Sequence, residues 1–238
     1  MFELCTEGEV ARITLARPEA RNAIPLAGWD ALAETVRKAE GARVLILSGT
    51  VDAFCAGADL ADFARMRGDA AAAAGFRRAT RRGIEAIASF PMPSVALIGG
   101  PCYGAGVALA LACDLRLAGP GARFAITPAR MGISYPQEDV FRLVTLVGPA
   151  QAARLLFTGA AIDPADAIRI GLADAPAAEL GEIVAAMLAN DAASLATLKR
   201  GIRLAAAGVR DDAGQDAAFD ALIASDAFAA RLAARRRR

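Results

Sequence analysis

Two apolar runs stand out in the hydrophobic pattern of the first hundred residues, and a segment of small residues follows each of them. Residues 43–48 lead into the segment 54–60, and residues 94–98 lead through glycines into an Ala/Leu-rich run that ends near Asp114. Short apolar runs bounded by turn residues predict buried strands, and the Ala/Leu-rich run predicts a buried helix. We therefore expect a strand and a tight turn at the first place, and a strand, a tight turn and a helix at the second.

The remaining pattern alternates strands with helices up to about residue 174 and is helical beyond it. The expected elements of the first part are a hairpin of strands 2–5 and 10–15, helices 26–40, 76–90 and 139–147, and strands 114–118 and 123–126. The expected terminal helices are 179–190, 194–207, 212–224 and 227 to the end. Buried strands separated by helices predict an α/β fold with parallel pairing. The change of pattern divides the chain into a core, residues 1–178, and a helical region, residues 179–238.

The two small-residue turns suggest a particular chemistry. Where a strand passes through a tight turn into a helix, backbone N–H groups are left without partners at the positive end of the helix dipole. Small residues at 104–106 let a ligand approach this backbone closely. One N–H group from each turn, directed at one point, can hold negative charge that develops on an oxygen atom. Either turn alone would predict tight packing and nothing more.

The amino-acid composition removes several classes of site. The chain contains no histidine, the commonest general base and metal ligand, so Ser-His-Asp and Cys-His catalysis is excluded within it. Four cysteines, Cys5, Cys55, Cys102 and Cys113, are scattered without metal-ligand spacing. We expect no metal site, and we expect all four cysteines to be reduced, small residues of the core.

The charge pattern gives no indication of a polymeric partner or a lipid surface. The formal net charge is +1, which gives no argument for nucleic-acid or membrane binding. No uninterrupted apolar run is long enough to cross a bilayer, and the first residues do not form an export signal, so the expected location is cytoplasmic. The four arginines 235–238 are expected to form a solvated end.

In their order and separation, the two turns resemble those of the crotonase family, also called the enoyl-CoA hydratase/isomerase superfamily. The resemblance rests on residues 56–60, 99–114 and 124–132 and continues through 146–148, 156–159 and 167–172. It implies a crotonase-like spiral of ββα turns whose C-terminal helices form a trimerisation region. It also implies an acyl-CoA substrate, no cofactor besides that CoA thioester, and a homotrimer or hexamer.

The resemblance assigns backbone roles that do not depend on the side chain. The two oxyanion N–H groups are those of Ala58 and Ala105. The positions that match the CoA-binding part of the family are Arg21, Ala23, Ala56, Asp59 and Gly104. For Arg21, a solvated loop arginine is the alternative interpretation. The segment 62–74 corresponds to a variable part of the family that lines the acyl pocket.

The acid/base groups depart from the family pattern. Hydratases of the family carry one glutamate at the position of Ala108 and another near residues 127–129, and neither place has a carboxylate here. Glu138 and Asp139, in a loop that runs along the acyl group in the family, are the candidate proton-transfer groups. The alternative is that they favour the N-terminus of the helix that starts there. Tyr135 is a third candidate, and the alternative for it is a ring packed in the pocket wall.

Three functions follow from these observations. The first is an acyl-CoA lyase or isomerase that stabilises a thioester enolate. The second is a decarboxylase of a malonyl-type CoA ester, because Tyr135 matches a tyrosine of the methylmalonyl-CoA decarboxylase branch; that branch also has a histidine where Ala58 stands here. The third is a pseudoenzyme that binds acyl-CoA without turning it over, as the two absent glutamates suggest.

Overall fold

The computed structural model describes residues 1–50 and 52–235, so most of the predicted basic end lies outside the described residues. The strands are β1 (Phe2–Glu7), β2 (Val10–Leu15), β3 (Val44–Ser48), β4 (Ser94–Ile98), β5 (Pro101–Tyr103), β6 (Leu115–Ala118), β7 (Arg123–Ala125) and β8 (Ala175–Pro176). The helices are α1 (Leu26–Lys38), α2 (Leu60–Arg65), α3 (Ala70–Ala88), α4 (Ala105–Ala112), α5 (Gln137–Thr158), α6 (Pro164–Arg169), α7 (Leu180–Ala189), α8 (Ala192–Ala206), α9 (Ala213–Ile223) and α10 (Asp226–Arg235).

Six strands form the main sheet, in the order β1-β2-β3-β4-β6-β8. The hairpin β1–β2 is antiparallel, and every other neighbour in this sheet pairs in parallel, which confirms the predicted α/β fold. Every residue of β3 is buried, as expected for a central parallel strand covered on both faces. Strand β2 alternates between partly and fully buried residues, so its inner positions, Ala11, Ile13 and Leu15, join the core.

A smaller second layer lies beside the main sheet. Strands β5 and β7 pair in parallel, and isolated bridges join Cys55 to Cys102 and Phe124 to Ile162. The chain therefore forms a main strand and then a short second strand before α4 and again before α5, whereas the segment after β3 contributes only the bridge at Cys55. Cys55, Cys102 and Cys113 are buried, as predicted, whereas Cys5 lies exposed on the edge strand β1 and is not a core residue.

Helices α1 and α3 pack closely over the core. A β-carbon at Gly83 of α3 would lie 2.9 Å from the Trp29 carbonyl oxygen of α1, so glycine permits this contact. Helix α3 begins at Ala70, six residues before the predicted start. Asp69 explains the difference, because its carboxylate accepts a hydrogen bond from the N–H of Ala72 and caps the alanine run.

Helix α5 extends well beyond its predicted end at residue 147. By length and composition alone it could cross a membrane. Gly148 interrupts it with φ 76° and ψ 162°, and Pro149 follows. The two resulting pieces have about ten residues each, half the length that a membrane-spanning helix needs.

A buried cation joins the C-terminal helices to the main sheet. Lys199 of α8 is 6% exposed, and its Nζ donates to the Asp114 carboxylate at 2.7 Å and to the Met92 carbonyl at 2.9 Å. The same Asp114 oxygen accepts from the N–H and the hydroxyl of Ser94, the first residue of β4. One charged network therefore holds α8 at the start of the strand that leads to the second small-residue turn.

We expect Lys199→Met to lower the free energy of unfolding by about 2 kcal/mol, because it removes a charged hydrogen-bond donor from the Asp114 carboxylate and the Met92 carbonyl. Urea denaturation followed by circular dichroism would measure it. Arg200→Met is the matched control, since Arg200 pairs with Asp212 at the surface and its loss should cost less than about 1 kcal/mol. Equal losses in both variants would contradict this role of Lys199.

Candidate active site

The two small-residue turns meet, backbone against backbone. A β-carbon at Gly57 would lie 2.9 Å from the Tyr103 carbonyl oxygen and 3.3 Å from the amide nitrogen of Ala105. A β-carbon at Gly106 would collide with the Cys55 carbonyl oxygen and lie 2.9 Å from the Cys55 β-carbon. Glycine is therefore required on both sides of the contact, and the second turn begins directly beside the first.

The turns leave the N–H groups of Ala58 and Ala105 available. Ile24 forms a bridge with Ala58. The Ile24 N–H donates to the Gly57 carbonyl at 2.8 Å, and the Ile24 carbonyl accepts from the Asp59 N–H at 2.9 Å, so these bonds engage the residues on either side of Ala58 and not the Ala58 N–H itself. Ala105 is the first residue of α4, where an N–H group has no partner within the helix. In residues 1–50 and 52–235, neither N–H group has a hydrogen-bond acceptor.

A loop between β2 and α1 holds the first turn in place. Asn22 is fully buried, and its amide donates to the carbonyl oxygens of Ala53 at 2.8 Å and Phe54 at 3.2 Å. Arg17 donates to the Asp59 carboxylate at 2.6 Å, and this contact lowers the pKa of Asp59. The same carboxylate accepts from the Ala61 N–H at the start of α2, so Asp59 fastens the loop, the turn and the helix together.

A cavity of about 780 Å³ opens in front of the two turns. Its walls come from the loop before α1, both turns, α2, α3 and the segment between β7 and α5, and most of its lining is apolar. This volume is typical of sites for a small-molecule ligand. All but one of the site residues named from the sequence line it: Arg21, Ala23, Ala56, Ala58, Asp59, Gly104, Ala105, Tyr135 and Asp139.

Asp139 brings a buried carboxylate to this cavity. The residue lies in the first turn of α5 and is 3% exposed. Burial raises its pKa to about 6, against the opposing effect of the Arg142 guanidinium, whose Nη1 lies 3.3 Å from the carboxylate. A carboxyl group that titrates near neutral pH can both take and return a proton, as a general acid/base must.

Glu138, the remaining candidate, lies outside the cavity. Its side chain points to the surface of α3, where it forms an ion pair with Arg81 at 2.8 Å and remains about one-third exposed. Arg142 of α5 likewise reaches α3 and pairs with Glu85. Adjacent carboxylates in one helix turn therefore have different surroundings, since Glu138 joins two helices at the surface and Asp139 faces the cavity.

The Tyr135 hydroxyl is hydrogen-bonded to the second turn. It donates to the Gly104 carbonyl oxygen at 3.0 Å, and burial raises its pKa well above the ordinary value. The ring lines the cavity while the hydroxyl fixes the residue just before Ala105. This arrangement matches the packed-ring alternative: Tyr135 holds the turn that carries the Ala105 N–H group.

The wall positions that lack glutamate remain without a carboxylate in the folded chain. Ala108 is fully buried behind the second turn, and Thr127 and Pro128 line the cavity. Asp139 enters from a different element, at the start of α5. The cavity therefore has a buried carboxylate, but at another place on its wall.

Several residues of the site were not identified from the sequence. Asn22 and Arg17 lie in a segment that was predicted to be a turn beside the CoA, but neither residue was given a role, and Arg142 was not considered. Asn22 could have been identified as a turn residue with a special backbone conformation, because asparagine tolerates a positive φ, and its φ is 59°. The pairing of Arg142 was less evident from the sequence, which shows only a basic residue three positions after an acidic one on a predicted helix.

Comparisons with known proteins agree with this geometry. The family model for enoyl-CoA hydratase/isomerase matches residues 6–232. A protein of Mycobacterium bovis described as a probable enoyl-CoA hydratase, echA6, is 37% identical over 167 residues. That alignment covers 69% of this chain and 66% of the relative, so the chain spans about two thirds of that protein's length. The echA17 protein of Mycolicibacterium paratuberculosis, with the same description, is 35% identical over 87% of this chain and 76% of its own.

Solved structures show the same architecture. The crystal structure of an enoyl-CoA hydratase/isomerase family protein from Hyphomonas neptunium superposes with a TM-score of 0.89 at 32% identity, covering 95% of this chain and 91% of the other. An enoyl-CoA hydratase/carnithine racemase from Magnetospirillum magneticum gives a TM-score of 0.93 at 26% identity, covering 99% and 92%. The α/β fold of this chain is therefore shared with solved members of this group.

We expect Gly106→Ala to lower the free energy of unfolding by about 2 kcal/mol, because the added methyl group would force the second turn away from the Cys55 carbonyl. Gly181→Ala is the matched control. It also lies in a helix, nothing surrounds the added β-carbon, and it should leave stability unchanged or raise it by up to about 1 kcal/mol. Chemical denaturation of both variants would decide, and similar stabilities would mean that the turns do not need this close approach.

Proposed function

The chain belongs to the enoyl-CoA hydratase/isomerase family, and on that basis we propose that it binds an acyl-CoA thioester in the cavity and forms its enolate, with Asp139 as the proton-transfer group. The single observation that carries the proposal is the position of Asp139: a buried carboxylate that lines the same cavity as the two available N–H groups. The Asp59 carboxylate, which also lines the cavity, is already bound by Arg17 and the Ala61 N–H.

The first step concerns the thioester oxygen. When a proton leaves the α-carbon of a thioester, its electron pair moves towards the carbonyl oxygen, which becomes negatively charged. The N–H groups of Ala58 and Ala105 are the proposed donors to this oxygen. Donors that are already in place, in a site that excludes water, stabilise such charge more than water does. Both are backbone groups, so alanine at these positions is sufficient.

The second step concerns the proton itself. The Asp139 carboxylate takes the α-proton and is then a neutral acid, which returns the proton elsewhere on the acyl group. If the proton returns to another carbon of the acyl group, a double bond moves, which is an isomerase reaction. Returning it to a departing hydroxyl group releases water, which is a lyase reaction. A pKa of about 6 suits both halves of the cycle at neutral pH.

The decarboxylase hypothesis has less support from the site. A malonyl-type substrate would bring a second carboxylate into the cavity, where it would meet the carboxylate of Asp139. Arg142 is engaged by Asp139 and Glu85, and the Tyr135 hydroxyl is engaged by Gly104. The proposal therefore keeps the enolate chemistry and assigns Tyr135 to positioning the second turn.

We also propose that copies of this chain assemble into a trimer or hexamer through the C-terminal helices. What supports this is a set of large apolar side chains that the isolated chain leaves exposed on α8, α9 and α10: Leu198, Ile202, Phe219, Ile223, Phe228 and Leu232. Apolar surface of this extent is typical of protein interfaces. Analytical ultracentrifugation of the purified chain would give the assembly directly.

We expect Asp139→Asn to reduce exchange of the α-proton of a bound acyl-CoA by at least about 100-fold, because the amide cannot take a proton. Mass spectrometry of butyryl-CoA after incubation in heavy water would measure the exchange. Glu138→Gln is the matched control one residue away, and it should retain the rate of the unchanged chain within about threefold.

Two outcomes would contradict this assignment. Equal exchange in Asp139→Asn and the unchanged chain would remove Asp139 from the reaction. Tight binding of butyryl-CoA with no exchange in the unchanged chain would instead support the pseudoenzyme hypothesis. Calorimetric titration of the same samples separates these results, because it measures binding whether or not a proton moves.

The pH dependence gives an independent check. Since the carboxylate is the active form, exchange should rise with pH through about 6 and level off above it. Arg142→Met removes the nearby positive charge that lowers the Asp139 pKa, so the midpoint should move to higher pH. Arg81→Met, which affects only the Glu138 pair, should leave the midpoint in place. A midpoint that does not move in Arg142→Met would show that another group controls the profile.

A further inference from the structure

Thr80 is a buried polar residue that has no hydrogen-bond partner in the described part of the chain. It lies in the middle of α3, is 5% exposed, and lines the cavity. Within residues 1–50 and 52–235, its hydroxyl oxygen makes no hydrogen bond. A buried hydroxyl without a partner is costly, and folded proteins rarely leave one that a ligand or water does not satisfy.

Two other helical threonines, Thr35 and Thr158, satisfy their hydroxyl groups locally. Thr35 in α1 donates to the Ala31 carbonyl at 2.8 Å, and Thr158 at the end of α5 donates to the Arg154 carbonyl at 2.7 Å. This bond to the residue four positions earlier is the usual arrangement for a threonine in a helix. Thr80 does not make the corresponding bond to Phe76, so its hydroxyl remains available.

Thr80 lies in a polar part of the mainly apolar cavity wall. Thr80 and Asp139 both line the cavity and also line a crevice of about 10 Å³ between α3 and the start of α5. The crevice is bounded as well by Glu85 and Arg142. Its volume is close to the minimum for one water molecule, and the groups around it are suitable hydrogen-bond partners.

We propose that Thr80 and Asp139 together bind one hydroxyl oxygen, either that of a water molecule or that of a hydroxyl group on the β-carbon of the acyl chain. This inference rests on the proposed function, because it assumes that the cavity takes an acyl-CoA. The Thr80 hydroxyl donates to the bound oxygen, and the Asp139 carboxylate accepts the proton of that oxygen. Thr80 then determines specificity for an oxygen-bearing substrate.

The consequence is a choice between the two reactions left open above. In the direction of addition, the water oxygen bonds to the β-carbon of an enoyl-CoA and the electron pair of the double bond moves to the thioester oxygen. Asp139 takes the proton of the water and delivers it to the α-carbon. In the reverse direction Asp139 takes the α-proton and gives it to the departing hydroxyl, so that water leaves. Thr80 favours this lyase reaction over the movement of a double bond.

Binding measurements test the site separately from turnover. In a chain that carries Asp139→Asn to prevent turnover, we would measure by calorimetry the affinity for butyryl-CoA and for 3-hydroxybutyryl-CoA. Thr80→Val keeps the shape of the side chain without its hydroxyl, and Thr80→Ser keeps the hydroxyl. Thr35→Val is the control on an exposed helix face.

For an acyl hydroxyl, we expect Thr80→Val to reduce the preference for 3-hydroxybutyryl-CoA over butyryl-CoA by about fivefold, the effect of losing one neutral hydrogen bond. Thr80→Ser and Thr35→Val should retain the preference, and the affinity for butyryl-CoA should be the same in all variants. For a water molecule, the preference would stay unchanged. Thr80→Val, with Asp139 intact, would then slow the incorporation of heavy oxygen from labelled water into the 3-hydroxybutyryl-CoA formed from crotonyl-CoA by about tenfold.

If neither the preference nor the incorporation differs between Thr80→Val and Thr35→Val, the inference is overturned and the proposed function stands. If the unchanged chain does not bind butyryl-CoA, the proposed function fails, and the inference fails with it. The affinity for butyryl-CoA thus distinguishes the two failures.

Discussion

The close approach of two backbone segments is the constraint on which the rest of the site depends. Gly57 and Gly106 allow the turns after β3 and β4 to touch, and a methyl group on either glycine would force them apart. The contact is possible because these strands are parallel neighbours, with Leu45 opposite Ser94, so their ends lie at the same edge of the sheet. Backbone N–H groups placed this way need no particular side chain.

A second constraint, the burial of the Asp139 carboxylate, acts on another part of the cavity wall. Water would hold Asp139 as a carboxylate at any ordinary pH, whereas burial makes that charge unfavourable and Arg142 partly restores it. Since Arg142 also pairs with Glu85, its position depends on the packing of α3 against α5. The proton affinity of the proposed catalytic group is therefore set by two helices that carry no part of the oxyanion site.

The predictability of this site from the sequence follows from how local each feature is. The two turns were predictable because each is a short pattern, an apolar strand followed by small residues. The choice between Glu138 and Asp139 was not, since adjacent residues in a helix differ only in the direction they face, and α3 determines which of them is buried. Thr80 was not identified either, because a threonine in an amphipathic helix usually satisfies its own hydroxyl. The early start of α3 depended on a single cap, Asp69, within a run of alanines.

These two constraints differ in how they respond to sequence change. The proposed oxyanion donors are backbone atoms held by packing, so alterations of nearby side chains leave them in place as long as the glycines remain. The proposed acid/base group is one side chain, and in the proposed reaction its position along the acyl group determines which carbon loses a proton and which atom receives it. In this chain alanine stands at one usual glutamate position, and the carboxylate enters from α5 beside an unpartnered hydroxyl. Under the proposed function, the same enolate site would therefore serve a different proton path, and the residues of α3 and α5, rather than the turns, would determine the reaction.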